Sequence, residues 1–160
     1  MTGVQHIIDQ LRLIKHPEGG YYAETFRHPQ TISLEDGRVR NLGTTIYFLL
    51  QGKDRSHFHR LLSDETWFFH SGSPIELVML ANGAIETFTL GPTLSNSEFP
   101  QLLIPANTWF AARVKGETGY GLVSCTVTPG FDFDDFELAT AEKLRADGYK
   151  LDDALLAFLI

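Results

Sequence analysis

The sequence predicts an all-β fold, an antiparallel sandwich or barrel with short α-helices only at its two ends. Three observations predict it. Runs rich in β-branched and aromatic residues recur from about residue 20 to about residue 130, divided by turn residues. The dipeptide Asn82-Gly83 lies between two apolar-patterned runs, Ile75–Leu80 and Ala84–Leu90, where a tight hairpin needs two positive-φ residues. Apolar residues at helical spacing are confined to the two ends of the chain.

Val4, Ile7, Ile8, Leu11 and Ile14 recur at helical spacing and predict a first helix, stopped by Pro17 and the Gly19-Gly20 pair. Tyr22 to Arg27 reads as extended, and Thr44 to Leu50 as a strand closed by Gly52. Glu65 to His70 and Ile75 to Leu80 follow, separated by Ser71-Gly72-Ser73-Pro74. Gln101 to Ile104, Thr108 to Val114 and Tyr120 to Thr128 complete about eight to ten short strands. After Pro129-Gly130 the period changes. Phe136, Leu138, Ala141 and Leu144 suit a helix ending near Asp147-Gly148, and Asp152 to Leu159 a last one.

A length of 160 residues suits one domain spanning 1–160, with the barrel at about 20–130 and the C-terminal helices at about 134–159. Hydrophobic residues make up 43% of the chain, including twelve Phe, enough to build a sizeable core. The net charge of −7 would repel a phosphate backbone, so nucleic acid is not an expected partner. Cys125 is the single cysteine, so no internal disulfide and no cysteine zinc cluster can form. The opening residues, Met1 to His6, lack the basic stretch and apolar run of a secretory leader, and no run approaches the roughly 18 residues of a membrane span. The expectation is a soluble, cytoplasmic protein without a membrane partner.

The segment from Gly52 to Gly72 carries the chemistry. On a strand, His57 and His59 would share one face, with side chains roughly 7 Å apart at the base. Glu65 opens the next strand, and antiparallel pairing would set it beside the histidines, with Trp67 and Phe69 following on its own face. Two imidazoles and a carboxylate form a divalent-metal set, or, without metal, an acid–base set. A surface strand with two solvated histidines explains the His-x-His pair alone equally well.

The Gly-x4-His-x-His-x5-Glu-x6-Gly arrangement resembles the first conserved motif of the cupin superfamily. At the second motif, Pro105 to Phe110, Asn107 stands where that family has Gly, and Phe110 where it has the fourth metal ligand. Phe cannot coordinate, so the usual three-His-one-Glu site is incomplete. A closer resemblance covers nearly the whole chain. His16-Pro17-Glu18-Gly19-Gly20-Tyr21-Tyr22, Ser63 to Trp67, Pro100 to Pro105 and Val123 to Phe133 are similar, in that order, to the family called cupin-5. That family's aromatic-His-Arg step is matched by Phe58-His59-Arg60. The resemblance implies a jelly-roll barrel shaped like the sugar-nucleotide epimerases of rhamnose synthesis, a small molecule held inside it, and a homodimer.

His59 and Glu65 are the candidate catalytic pair. Candidate ligand contacts are His57, Trp67, Phe69, Gln101, Trp109 and Tyr21: indoles stack on flat rings, and a tyrosine can supply a phenolic acid. Glu18, in a Gly-bounded turn, carries a charge beside two aromatics. Three functions compete. One is an isomerase or epimerase acting on a carbohydrate-like substrate, with His59 as base and Glu65 or Tyr21 assisting. The second is a metal-dependent oxygenase or isomerase that holds a divalent ion with His57, His59 and Glu65. The third is a non-catalytic metabolite-binding protein.

Overall fold

A computed structural model of the chain describes residues 3–160; Met1 and Thr2, part of the stretch read for a leader, lie outside the described residues. Helix α1 (Gly3–Gln10) leads into β1 (Ile14–Lys15), β2 (Tyr21–Arg27), β3 (Thr31–Ser33), β4 (Val39–Asn41) and β5 (Thr44–Gln51). Strands β6 (Arg55–Leu61), β7 (Asp64–Gly72), β8 (Ile75–Ala81) and β9 (Ala84–Leu90) follow, then β10 (Glu98–Phe99), β11 (Gln101–Ile104), β12 (Trp109–Val114) and β13 (Tyr120–Thr128). The chain ends through β14 (Phe136–Leu138), α2 (Ala141–Ala146) and α3 (Asp153–Leu156).

The strands form two six-stranded sheets, ordered β1-β2-β5-β13-β7-β11 and β10-β9-β8-β12-β6-β14, with β3–β4 as a separate hairpin. This is the jelly-roll arrangement, as two facing sheets rather than one closed hydrogen-bonded barrel. Parts of the outer faces, over β5 and β12, are covered by the helical ends of the chain, and there the strands read as nearly continuous apolar runs. On β5, Phe48 and Leu50 enter the core between the sheets, while Leu49 meets Ile8 and Leu13 around α1. On β12, Phe110, Ala112 and Val114 face inward; Trp109 and Ala111 face outward, against Leu144, Leu155 and Phe158 of the C-terminal segment. The period of two along a strand sorts each residue to one side or the other. Asn82 and Gly83 both take positive φ, as the β8–β9 hairpin requires.

Three boundaries differ from the sequence reading. The first helix stops before Pro17: Arg12 adopts φ 54°, its N–H donates to Asp9, and the Leu13 N–H donates back to Ile8. That left-handed cap satisfies the last carbonyls and turns Ile14 out into a strand, where it is exposed. Phe136–Leu138, expected within a helix, pairs instead with β6, so the helix α2 begins only at Ala141, capped by Thr140. The last helix is confined to Asp153–Leu156. Among the described residues no helix is long and apolar enough to cross a membrane.

Candidate functional site

One end of the sandwich is hollow. A cavity of about 460 Å³ opens between the sheets, within the range of small-molecule sites. Its floor is buried and polar: His16, Glu18, His59 and Glu65, with Cys125 beside them. Its walls are aromatic and aliphatic, among them Tyr22, Phe48, Trp67, Phe131 and Phe136. Glu24 and Arg27, exposed on β2, form the rim with Asp132 and the half-exposed Phe133.

Glu18 reaches the floor through the turn between β1 and β2. Gly19 and Gly20 both have positive φ, and a Cβ on Gly19 would lie 2.0 Å from the carbonyl oxygen of Arg55. Only glycine lets this turn press so closely onto β6. The Glu18 carbonyl then accepts the His57 N–H, and its side chain swings inward. Its Oε1 accepts from Ser56 Oγ at 2.7 Å; its Oε2 lies 3.3 Å from His16 Nδ1 and 3.2 Å from His59 Nε2.

A β-bulge explains which side chains of β6 meet Glu18. Phe110 and Ala112 of β12 are two apart, but their partners, His59 and Ser56, are three apart. Ser56 and His59 therefore both face the interior. His57, contrary to the simple alternation, does not share the His59 face: its Nδ1–H donates to the Glu18 carbonyl at 2.6 Å, outside the cavity lining.

The His59 Nδ1–H donates to the His57 carbonyl at 2.7 Å, which leaves Nε2 as the acceptor turned to Glu18. Phe110 packs on the His59 ring at 4.1 Å. Burial lowers the His59 pKa to about 4, and lowers that of His16 as well. Burial pushes the Glu18 carboxyl up, against the opposing pull of His16 and Ser56. Burial thus disfavours the charged form of both Glu18 and His59 in this dry pocket.

Glu65 and His59 do not meet by strand pairing. Strand β7 lies in the first sheet, between β13 and β11, and β6 in the second. Glu65 comes to the same cavity across the sandwich. Its Oε1 accepts the Trp67 indole N–H at 2.9 Å, and its Oε2, fully buried, has no partner among the described residues. Burial, with Glu18 adding to it, raises the Glu65 pKa to about 8. That shift favours the carboxylic acid at neutral pH, with the Cys125 thiol as its neighbour.

Of the candidate catalytic and ligand-contact residues read from the sequence, His59, Glu65 and Trp67 line this cavity, as does Glu18, while His57, Phe69, Gln101, Trp109 and Tyr21 do not. Tyr21 points to the outer face, where Lys15 Nζ lies 3.8 Å over its ring; alternation turns Tyr22 inward in its place. Phe69 packs against the core beyond the cavity. Gln101 is exposed on the edge strand β11. Trp109 is buried under the C-terminal segment, its N–H donating to Asp147 at 2.7 Å and Arg60 stacked on its ring. His16 and Phe136 belong to the site but were not foreseen as ligand residues. Their signal was the His16–Tyr22 segment and the aromatic cluster after Gly130.

Residues 5–139 match the family model Cupin_5, described as Cupin superfamily (DUF985). The chain belongs to this cupin family. A hypothetical protein from Leishmania major is 36% identical with a TM-score of 0.85, over 90% of this chain and 91% of that one. Protein SO0799 from Shewanella oneidensis is 39% identical with a TM-score of 0.82, over 91% and 90%. The uncharacterized protein YML079W of Saccharomyces cerevisiae is 29% identical over 156 residues, 88% of this chain and 77% of that protein. A dTDP sugar isomerase from Desulfovibrio desulfuricans shares the fold alone, at 15% identity and a TM-score of 0.54 over 76% and 82%.

Many cupins hold a metal with three histidines and a glutamate, and that set does not fit this cupin. His57 lies outside the cavity lining, its ring held to the Glu18 carbonyl, and His59 Nε2 faces Glu18. Phe110 occupies the fourth ligand's place, and no group of three or more His, Cys, Asp or Glu among the described residues could hold an ion. The His57–His59–Glu65 metal set is therefore withdrawn.

Proposed function

We propose that this cupin binds a small carbonyl compound in the interior cavity and isomerises it by acid–base chemistry. The observation that carries the proposal is Glu65: a buried carboxyl, one oxygen without a hydrogen bond, on the same cavity floor as a His59–Glu18 pair. Such a pairing of a proton donor with a proton acceptor is what isomerisation next to a carbonyl needs.

The Glu65 O–H donates to the substrate carbonyl oxygen. The His59–Glu18 pair takes the proton from the neighbouring carbon and becomes singly positive, while Glu65 gives up its proton and becomes a carboxylate. The intermediate is the enol, and no net charge is added to the pocket. Return of the proton to the other carbon, or the other face, gives the isomer and restores both groups. His16 and Ser56 hold the Glu18 carboxyl in place, and Trp67 fixes the Glu65 side chain. The shared fold with a sugar isomerase is consistent with this chemistry but supplies no residue correspondence.

Incubating the protein in deuterated solvent with carbonyl compounds that raise its melting temperature tests the proposal. Deuterium enters the carbon next to the carbonyl with the wild type and stops with Glu65→Gln and His59→Ala. Stabilisation by such compounds with no exchange in any of them would leave only a binding protein. The homodimer expected from the family resemblance is part of the same proposal, and sedimentation equilibrium checks it.

A further inference from the structure

From the distribution of polar groups over the cavity surface, we infer that its occupant is a flat, uncharged ring compound carrying a carbonyl at its inner edge, and not a phosphorylated or polyhydroxylated sugar. This rests on the cavity being the ligand site, as proposed above, and narrows what it takes.

Most of the polar groups among the described residues sit in two places, with the hydroxyl-bearing Tyr22 and Thr44 also on the lining. Deep in the floor are His16, Glu18, His59 and Glu65, with Cys125 beside them, and the buried Glu65 Oε2 has no hydrogen bond. At the rim are Glu24, Arg27 and Asp132. Between them the wall is Ile46, Phe48, Leu61, Trp67, Val127 and Phe136. A sugar lying across this belt would set its hydroxyls against hydrocarbon, and each unpartnered one costs about 1–3 kcal/mol. A flat ring instead finds aromatic neighbours along its length: Phe48 and Trp67 meet at 5.4 Å, and Phe131 and Phe136 at 6.3 Å.

Charge argues the same way. Among the described residues Arg27 is the only Lys or Arg lining the cavity, and its guanidinium is nearly spent. Nε and Nη2 donate to Glu24, and Nη1 donates to Asn41 and to the Phe131 carbonyl. Asp132 adds a second carboxylate to that rim. A phosphate or diphosphate would enter past two carboxylates and find no free cation. At the inner end, the buried Glu65 carboxyl matches one acceptor on the ligand, and a ring carbonyl supplies it.

Titration calorimetry of the full chain with three ketones tests the inference: indanone, fructose and dihydroxyacetone phosphate. Indanone is expected to bind at least roughly tenfold tighter than either of the others. Glu65→Leu, which removes the donor, weakens indanone roughly tenfold, whereas Glu65→Gln, whose amide N–H still donates, keeps the affinity. Wild-type affinity falls as pH rises through about 8, and Glu65→Gln does not share that fall. The groups facing Glu65 in this range are Glu18, His16, His59, Cys125 and Tyr22, and all are unchanged in the variant. Tighter binding of either sugar-like ketone, or a Glu65→Leu affinity equal to wild type, overturns the inference. Binding of indanone without deuterium exchange removes the isomerase reading and leaves the ligand class standing; exchange in fructose without indanone binding does the reverse.

Discussion

Glu65 and His59 are two buried groups whose protonation is set in opposite directions, and that fixes how stability depends on pH. Glu65 titrates near 4.5 unfolded and about 8 folded, so between these values the folded state holds a proton the unfolded state has lost. Stability from this group is full below about 4.5 and falls as pH rises towards 8. His59 titrates near 6.5 unfolded and about 4 folded, so its contribution improves as pH rises from 4 to 6.5. The two oppose each other below 6.5, and from there to about 8 the His59 contribution is complete while that of Glu65 still falls. Urea unfolding across that window should show wild-type stability dropping by up to about 1.4 kcal/mol per pH unit, with a smaller slope for Glu65→Gln. Glu18, raised in the same direction, leaves the variant some slope of its own. Equal slopes would mean that Glu65 is already ionised.

At the scale of elements, the turn of residues 16–20 and the bulge in β6 place the acid and the histidine together. Gly19→Ala should cost more than about 3 kcal/mol, since positive φ is compounded by collision with the Arg55 carbonyl. Gly37→Ala, also at positive φ but facing open space, should cost only about 1 kcal/mol. Equilibrium unfolding of the two variants gives the comparison. These same elements show where sequence patterns succeed. Trp67 and Glu65 follow the period of two and were placed on one face correctly. His57 and His59 also obey that period on paper, but an unpaired residue in β6 shifts the phase, and no side chain announces a bulge. Phe136 and Leu138 fit helical spacing, yet the free edge of β6 offers them a ladder, and tertiary pairing overrides the local pattern.

Across the whole molecule, the hairpin β3–β4 is tied to the mouth of the cavity by charge. Asp135, 6% exposed, accepts a two-pronged contact from Arg40 at 2.7 Å on each oxygen and lies 3.0 Å from Arg38. It sits between Phe133 and Phe136, so this cluster holds the aromatic mouth against the hairpin. Asp135→Asn should lower stability by about 3 kcal/mol or more, because two guanidinium groups lose their counter-charge. Hydrogen bonds from Arg40 hold the Asp135 pKa below its ordinary value. The contribution is therefore present above the usual aspartate range and disappears as pH falls through the folded value, which acid unfolding of wild type against variant would register. None of this was legible in the sequence, where residues 31–41 carry no strong strand pattern and the acidic residues after Gly130 read as solvated. The antiparallel sandwich was legible, since alternation and turn dipeptides act locally, and the jelly roll followed from the family resemblance. The site was legible only in part, because Glu18, His59 and Glu65 come from three segments on two sheets.

The ionisation state of Glu65 in the empty cavity can be read directly by infrared difference spectroscopy of wild type against Glu65→Gln. A protonated carboxyl band should be present at neutral pH and vanish as pH rises through about 8. A band already gone by pH 6 would mean that the cavity floor carries a charge, and the proposed proton donor would not exist.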